Sequence, residues 1–129
     1  MQVKMSQKVI FSIIESPLHQ DFTVLYHTLG FENVQFNSMR KALSHLKQQQ
    51  PDFVVADFLY GYGNNYAGVN VSNLDVFLHS LQKYAPEAKV IAMVEKEERK
   101  HVAKLENLFT LHAVLQYPIS DKEMSEKLV

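Results

Sequence analysis

The chain of 129 residues contains no cysteine. That excludes disulfides, thiol nucleophiles and thiolate metal sites, and it fits a reducing compartment. There is no long hydrophobic run. The segment VIFSII near the start is far shorter than a membrane span or the apolar part of a secretion signal, and the residues before it, MQVKMSQK, are polar. These features lead us to expect a cytoplasmic protein with no membrane association, and Met5 is an alternative start. Charge of one sign is also missing. Lysine and arginine total 13 against 14 acidic residues, scattered along the chain, so the basic patch of a direct nucleic-acid binder is not there. The six histidines (His19, His27, His45, His79, His101 and His112) show no helical metal spacing, and each is expected on a partly exposed helix face. GxSxG is absent, and nothing marks Ser12 as a nucleophile.

What is present is a repeated switch in apolar period. KVIFSII (8–14) is apolar on both faces, as a buried parallel strand is. Ser16 and Pro17 then suit a helix start, and Leu18, Phe22, Leu25 and Leu29 share one face before Gly30. FENVQFN (31–37) reads as a second strand, and SMRKALSHLKQQQ (38–50) as a helix capped by Ser38, with Met39, Ala42, Leu43 and Leu46 inward. DFVVADF (52–58) is the third strand. LDVFLHSLQKYA (74–85) is the third helix, capped by Ser72 or Asn73. AKVIAMV (88–94) is the fourth strand, and EKEERKHVAKLENLF (95–109) a charged fourth helix with Val102, Leu105 and Leu108 inward. HAVLQYP (112–118) is the fifth strand, and Ser120 caps a last helix. Strict alternation of this kind predicts one α/β domain over residues 1–129: a doubly wound, five-stranded parallel sheet with flanking helices, flavodoxin-like. The short last helix suggests that the chain is the N-terminal part of a longer protein.

In such sheets the working crevice lies beyond the carboxyl ends of the strands. Asp57 ends the third strand and falls there. Either it does chemistry, or it is a turn acid that accepts from backbone amides of the next loop. That loop, FLYGYGNNYAGVNVS, holds three of the four glycines. It is neither a P-loop nor a dinucleotide fingerprint. Phe58, Tyr60, Tyr62 and Tyr66 offer apolar area with polar tips, suited to contact with a partner or a ligand; the alternative is a surface insertion packed on its own domain.

The order of elements, the length, PDFVVADF, KVIAMV and AVLQYPIS together resemble a response-regulator receiver (CheY-like) domain across the whole chain. The resemblance implies a phosphoacceptor at Asp57, Mg²⁺ held with two acids at the end of strand one, a hydroxyl at the end of strand four, and a lysine before the proline of strand five. In this chain the acid pair falls on Ile13 and Ile14, or on Glu15 if the register slips. The hydroxyl position is Val94, followed by Glu95, and the lysine position is Tyr117. The loop after Asp57 lacks the family's Met-Pro turn and is longer. Asp57 with Glu15 is a weak metal site, because Mg²⁺ wants a near-octahedral set of oxygens. A phosphoryl group beside an uncompensated carboxylate meets repulsion of roughly 4 kcal/mol at ~4 Å and intermediate dielectric.

The resemblance therefore implies a degenerate pseudo-receiver: a non-enzymatic two-component signalling module without cofactor that acts through a protein partner, an output domain or a homodimer. The charged fourth helix and Tyr117 are part of the expected partner surface. Two other readings stay open. One is a working receiver that takes phosphate on Asp57 with Mg²⁺. The other is a flavodoxin-like small-molecule binder using the tyrosine loop.

Overall fold

The computed structural model describes residues 7–61 and 71–129. Five strands form one parallel sheet in the order β2-β1-β3-β4-β5: β1 Val9–Ile13, β2 Glu32–Phe36, β3 Phe53–Asp57, β4 Lys89–Val94 and β5 Ala113–Gln116. The predicted fold class is the one observed. Strand order reverses between β1 and β3, so a crevice opens where Ile13 and Asp57 end adjacent strands.

Both faces of the sheet are covered, which is why β1 and β3 read as unbroken apolar runs. Phe11, Val54, Ala56, Ala92 and Val94 point to one side, toward helices α2 (Met39–His45), α3 (Asp75–Tyr84) and α4 (Val102–Glu106). Ile10, Val55, Ile91, Met93 and Leu115 point to the other, toward α1 (Thr23–Thr28) and α5 (Asp121–Leu128). Alternation along β3 therefore puts Asp57 on the α1/α5 side, next in line after Phe53 and Val55.

Two predicted caps hold. Ser38 accepts from the Lys41 amide at 3.2 Å, and Ser120 forms a reciprocal capping box with Glu123. Ala42 and Leu46 are fully buried, with Met39 and Leu43 packed at the edge of the same core. Gly30 takes φ 88° just beyond α1, a conformation that glycine adopts without a Cβ penalty.

Other expectations fail, each for a local reason. The first helix starts at Thr23, not after Ser16. Asp57 takes the Ser16 amide at 2.9 Å and the His19 ring at 3.0 Å, and Ser16 closes a turn by accepting from the Leu18 amide at 3.1 Å. Leu18 consequently lies outside any helix and is 49% exposed. The third helix is capped by neither Ser72 nor Asn73 acting on its first turn. Asp75 accepts from the amides of Val71 and Ser72, at 3.0 and 2.7 Å, and from the Ser72 hydroxyl. The predicted long fourth helix is a 3-10 helix, Lys96–His101, followed by the short α4. The change of pitch turns Leu108 outward and brings Phe109 into the core in its place.

Candidate functional site

Asp57 is 1% exposed, and donors surround its carboxylate. Oδ2 accepts from the backbone amides of Glu15 at 2.8 Å and Ser16 at 2.9 Å, and from His19 Nδ1 at 3.0 Å. Oδ1 accepts from the Tyr117 hydroxyl. Burial pushes the Asp57 carboxyl up. The His19 bond and charge, the Tyr117 bond and the Ser16 amide outweigh it and hold the group below its ordinary value. Asp57 is thus ionised at neutral pH and only accepts, so the proton in the contact with His19 sits on Nδ1.

Chain geometry explains each donor. The amides of Glu15 and Ser16 arrive because β1 ends at Ile13 beside β3, and the chain must turn over the Asp57 end of that strand. Tyr117 lies beyond β5, on the same sheet face as Met93 of β4. A phenol is long enough to cross β4, and on the way its hydroxyl passes Met93 Sδ at 3.9 Å. Burial, together with the hydrogen bond to Asp57 and the charge there, raises the Tyr117 pKa well above the ordinary tyrosine value. The expected turn-acid role is corrected in one respect: among the described residues the amides come from the β1–α1 connection, not from the loop that follows Asp57.

Glu15 stands beside this carboxylate but faces another partner. Its Oε1 accepts from Asn73 Nδ2 at 2.7 Å. The same amide nitrogen donates to the Asp57 carbonyl at 2.8 Å, and Asn73 Oδ1 accepts from the Leu59 amide at 2.8 Å. Asn73 therefore clamps the exit of β3 to the β1–α1 connection. Ile13 is fully buried in the core, Ile14 is half-buried beside Phe36, and Val94 is fully buried. None of the three offers a polar atom from its side chain. Among the described residues no three histidine, aspartate or glutamate side chains gather as a metal-binding group. The family's Mg²⁺ does not fit this set: both Asp57 oxygens are engaged by donors, the Glu15 carboxylate is tied to Asn73, and Ile13, Ile14 and Val94 bring no side-chain oxygen toward the near-octahedral set the ion wants.

Of the four aromatic residues expected to contact a partner or ligand, Phe58 is 1% exposed and belongs to the core, which corrects that expectation. Tyr62 and Tyr66 lie outside the described residues. Tyr60 is at the surface but is held by its own domain. Its ring stacks on His101 with centroids 3.7 Å apart and planes 8° apart. Its hydroxyl accepts from Lys104 Nζ at 2.9 Å, and its amide donates to Glu98 Oε1 at 2.7 Å. Glu98 and His101 are three residues apart, so a 3-10 helix eclipses them toward the same neighbour. The expectation for Tyr117 as part of an outer partner surface is likewise corrected, since it is buried and directed at Asp57.

Sequence reasoning missed His19 and Asn73. His19 was expected on a partly exposed helix face, yet its side chain is only 2% exposed because the helix does not form there. Asn73 was expected as a cap. A polar residue just ahead of a helix looks like a cap in any sequence, and only the fold shows which strand end it meets.

The chain matches no protein-family model and no curated protein. Its structure is similar to solved receiver domains. The signal receiver domain of an HD domain-containing protein from Pseudomonas fluorescens Pf-5 superposes with a TM-score of 0.72 at 17% identity, covering 95% of this chain and 92% of that one. A response regulator receiver domain protein from Clostridium thermocellum gives 0.69 at 17% identity, with coverage of 95% and 91%. An uncharacterized protein from Neptuniibacter caesariensis gives 0.73 at 19% identity, with coverage of 95% and 84%. The chain has the fold of response-regulator receiver domains, with the aspartate at the end of its third strand enclosed by donors from its own backbone and side chains.

Proposed function

We propose that this chain is a receiver-like signal-transduction module that works through contacts with a protein partner, an output domain or a second copy of itself. In this reading it is not an enzyme and does not use Mg²⁺-dependent phosphorylation of Asp57. One observation carries it. The Asp57 carboxylate, the nucleophile such a reaction needs, already accepts from Glu15, Ser16, His19 and Tyr117. A phosphoryl group approaching Oδ2 would have to displace two amides and an imidazole. Among the described residues no lysine or arginine pairs with Asp57 to neutralise a transferring phosphoryl.

The fold remains suited to signalling without that step. A receiver-like sheet presents helix faces that a partner can grip, and binding shifts a surface between two packings by its differential affinity for them. We place the protein in the cytoplasm; no helix among the described residues is long and apolar enough to cross a membrane.

The test is incubation of the intact chain with acetyl phosphate and Mg²⁺, followed by mass measurement. The expected result is an unmodified mass. A phosphoryl adduct that disappears in Asp57→Asn would overturn the reading in favour of a working receiver.

A further inference from the structure

The donors around Asp57 come from two places that differ in how firmly they are held. Tyr117 follows directly on β5, and its amide is bonded to the Val94 carbonyl, so the sheet fixes it. The other three, Glu15, Ser16 and His19, belong to one short stretch, residues 14–20, that has no regular structure. Within it, the Leu18 amide donates to Ser16 Oγ at 3.1 Å and the His19 amide donates to the Ser16 carbonyl at 3.1 Å. These two bonds close a turn over residues 16–19.

Its anchors are few and polar. Besides Asp57 they are the bond from Asn73 to Glu15, the bond from the Ile119 amide to Gln20 Oε1 at 2.7 Å, and the bond from the Ile14 amide to the Phe36 carbonyl. Pro17 and Leu18 at its crest are exposed. Where it approaches the β5 turn, a cleft of about 200 Å³ lined by Leu18, Gln20, Tyr117 and Pro118 takes the place of packed side chains. A segment with little apolar burial and a loose seam belongs to the low-stability end of local opening.

We propose that residues 14–20 are an autoinhibitory strap over Asp57, with the His19 ring as its clasp. Closed, the strap shields Oδ2 from any external cation or electrophile. Open, it leaves a carboxylate whose Oδ1 is still oriented by Tyr117. This rests on the reading of Asp57 as closed to phosphorylation, and it adds that the barrier is a removable segment rather than the depth of the strand end.

The experiment labels carboxylates of the full chain with a water-soluble carbodiimide and glycine ethyl ester, and follows each peptide by mass. Glu106, which is exposed and far along the chain from His19, is the internal standard. Relative to it, Asp57 in His19→Ala is expected to label about tenfold faster or more than in the unsubstituted chain, since one hydrogen bond to a charged group is lost. His19→Asn, whose amide nitrogen can donate from near the Nδ1 position, is expected to stay at the original rate. Equal Asp57 labelling in His19→Ala and the unsubstituted chain would sink the proposal.

Should His19→Ala lose its folded circular dichroism, amide hydrogen exchange of the unsubstituted chain decides instead. Glu15 and Ser16 are expected to exchange together and faster than Ser12 and Val55, whereas exchange only with global unfolding would count against a strap. Failure of the functional reading is separate: it appears as a phosphoryl adduct on the unsubstituted chain, whatever the ratio between the variants.

Discussion

The hydroxyl of Tyr117 donates to Oδ1 of Asp57 across the full width of the intervening strand β4, joining residues 60 positions apart in the chain. Where the receiver resemblance implies a lysine ammonium, this chain places a neutral donor that fixes the carboxylate but cannot offset the charge of an arriving anion. Tyr117→Phe keeps the ring and removes only that donor. It is expected to cost about 1–3 kcal/mol, the usual penalty of leaving a buried acceptor short of a partner. Urea unfolding would show a lower midpoint with an unchanged slope; an unaltered midpoint would mean that the bond contributes nothing net.

Asp57 itself is expected to tolerate Asn far better than Ala. The Asn carbonyl can accept from the Glu15 and Ser16 amides while its NH₂ group faces the Tyr117 oxygen, which can accept. Ala leaves two buried amides, an imidazole and a phenol without their acceptor, and a loss of about 3–5 kcal/mol is expected, as when one partner of a buried polar group is removed. The ranking is read from paired chemical melts. Asn as damaging as Ala would show that charge, not hydrogen bonding, holds the site.

The acid limb of stability should report the same carboxylate. Burial raises the Asp57 pKa, but His19, Tyr117 and the Ser16 amide lower it further, so the folded value lies under the unfolded one of about 3.9. The folded state therefore gives up this proton more readily. The stabilisation is complete above the unfolded value and is lost as pH falls through the folded one. The gap between the unsubstituted chain and Asp57→Asn should narrow between neutral pH and the acid limb. A gap that is constant with pH would contradict the assignment.

At the alkaline end the sign reverses. Burial, reinforced by Asp57, raises Tyr117, and burial also raises Tyr26, whose hydroxyl has no hydrogen-bond partner among the described residues. Both are held protonated by the fold, so their contribution is whole below the unfolded tyrosine value of about 10 and falls away as pH rises beyond it. Phenolate absorbance is expected to show these two tyrosines ionising last, together with the loss of folded circular dichroism.

The stack of Tyr60 on His101 predicts coupling rather than a large single effect, because Tyr60 is 38% exposed. A double-mutant cycle of Tyr60→Ala and His101→Ala should return about 0.5–1.5 kcal/mol of interaction, the range for aromatic pairs. Strict additivity would mean that the two rings lie together without favouring one another.

Much of the architecture was legible because it depends on local patterns. Buried strands such as FVVAD read as unbroken apolar runs, and Ser38 and Ser120 announce their helices by chemistry that acts within three residues. The fourth helix was not legible. Its charges satisfy ordinary helical spacing, yet Glu98, His101 and Lys104 converge on Tyr60, some forty residues earlier in sequence, and the backbone winds more tightly there. The start of the first helix was missed for a related reason. Ser16 and Pro17 make a plausible beginning in isolation, but Asp57 takes the Ser16 amide and the His19 ring, and the chain makes a turn there and enters the helix only at Thr23.

From its order of residues alone the chain specified a five-stranded parallel sheet and an aspartate at the end of the third strand, because hydrophobic period and capping are properties of neighbours. It also showed which oxygens and ammonium groups are not there to accompany that aspartate. Only the folded molecule decided what stands in their place: two amides, an imidazole and a phenol, drawn from segments 38 to 60 residues away. A buried carboxylate must find donors wherever the fold brings them, and no pattern along the chain records which ones arrive.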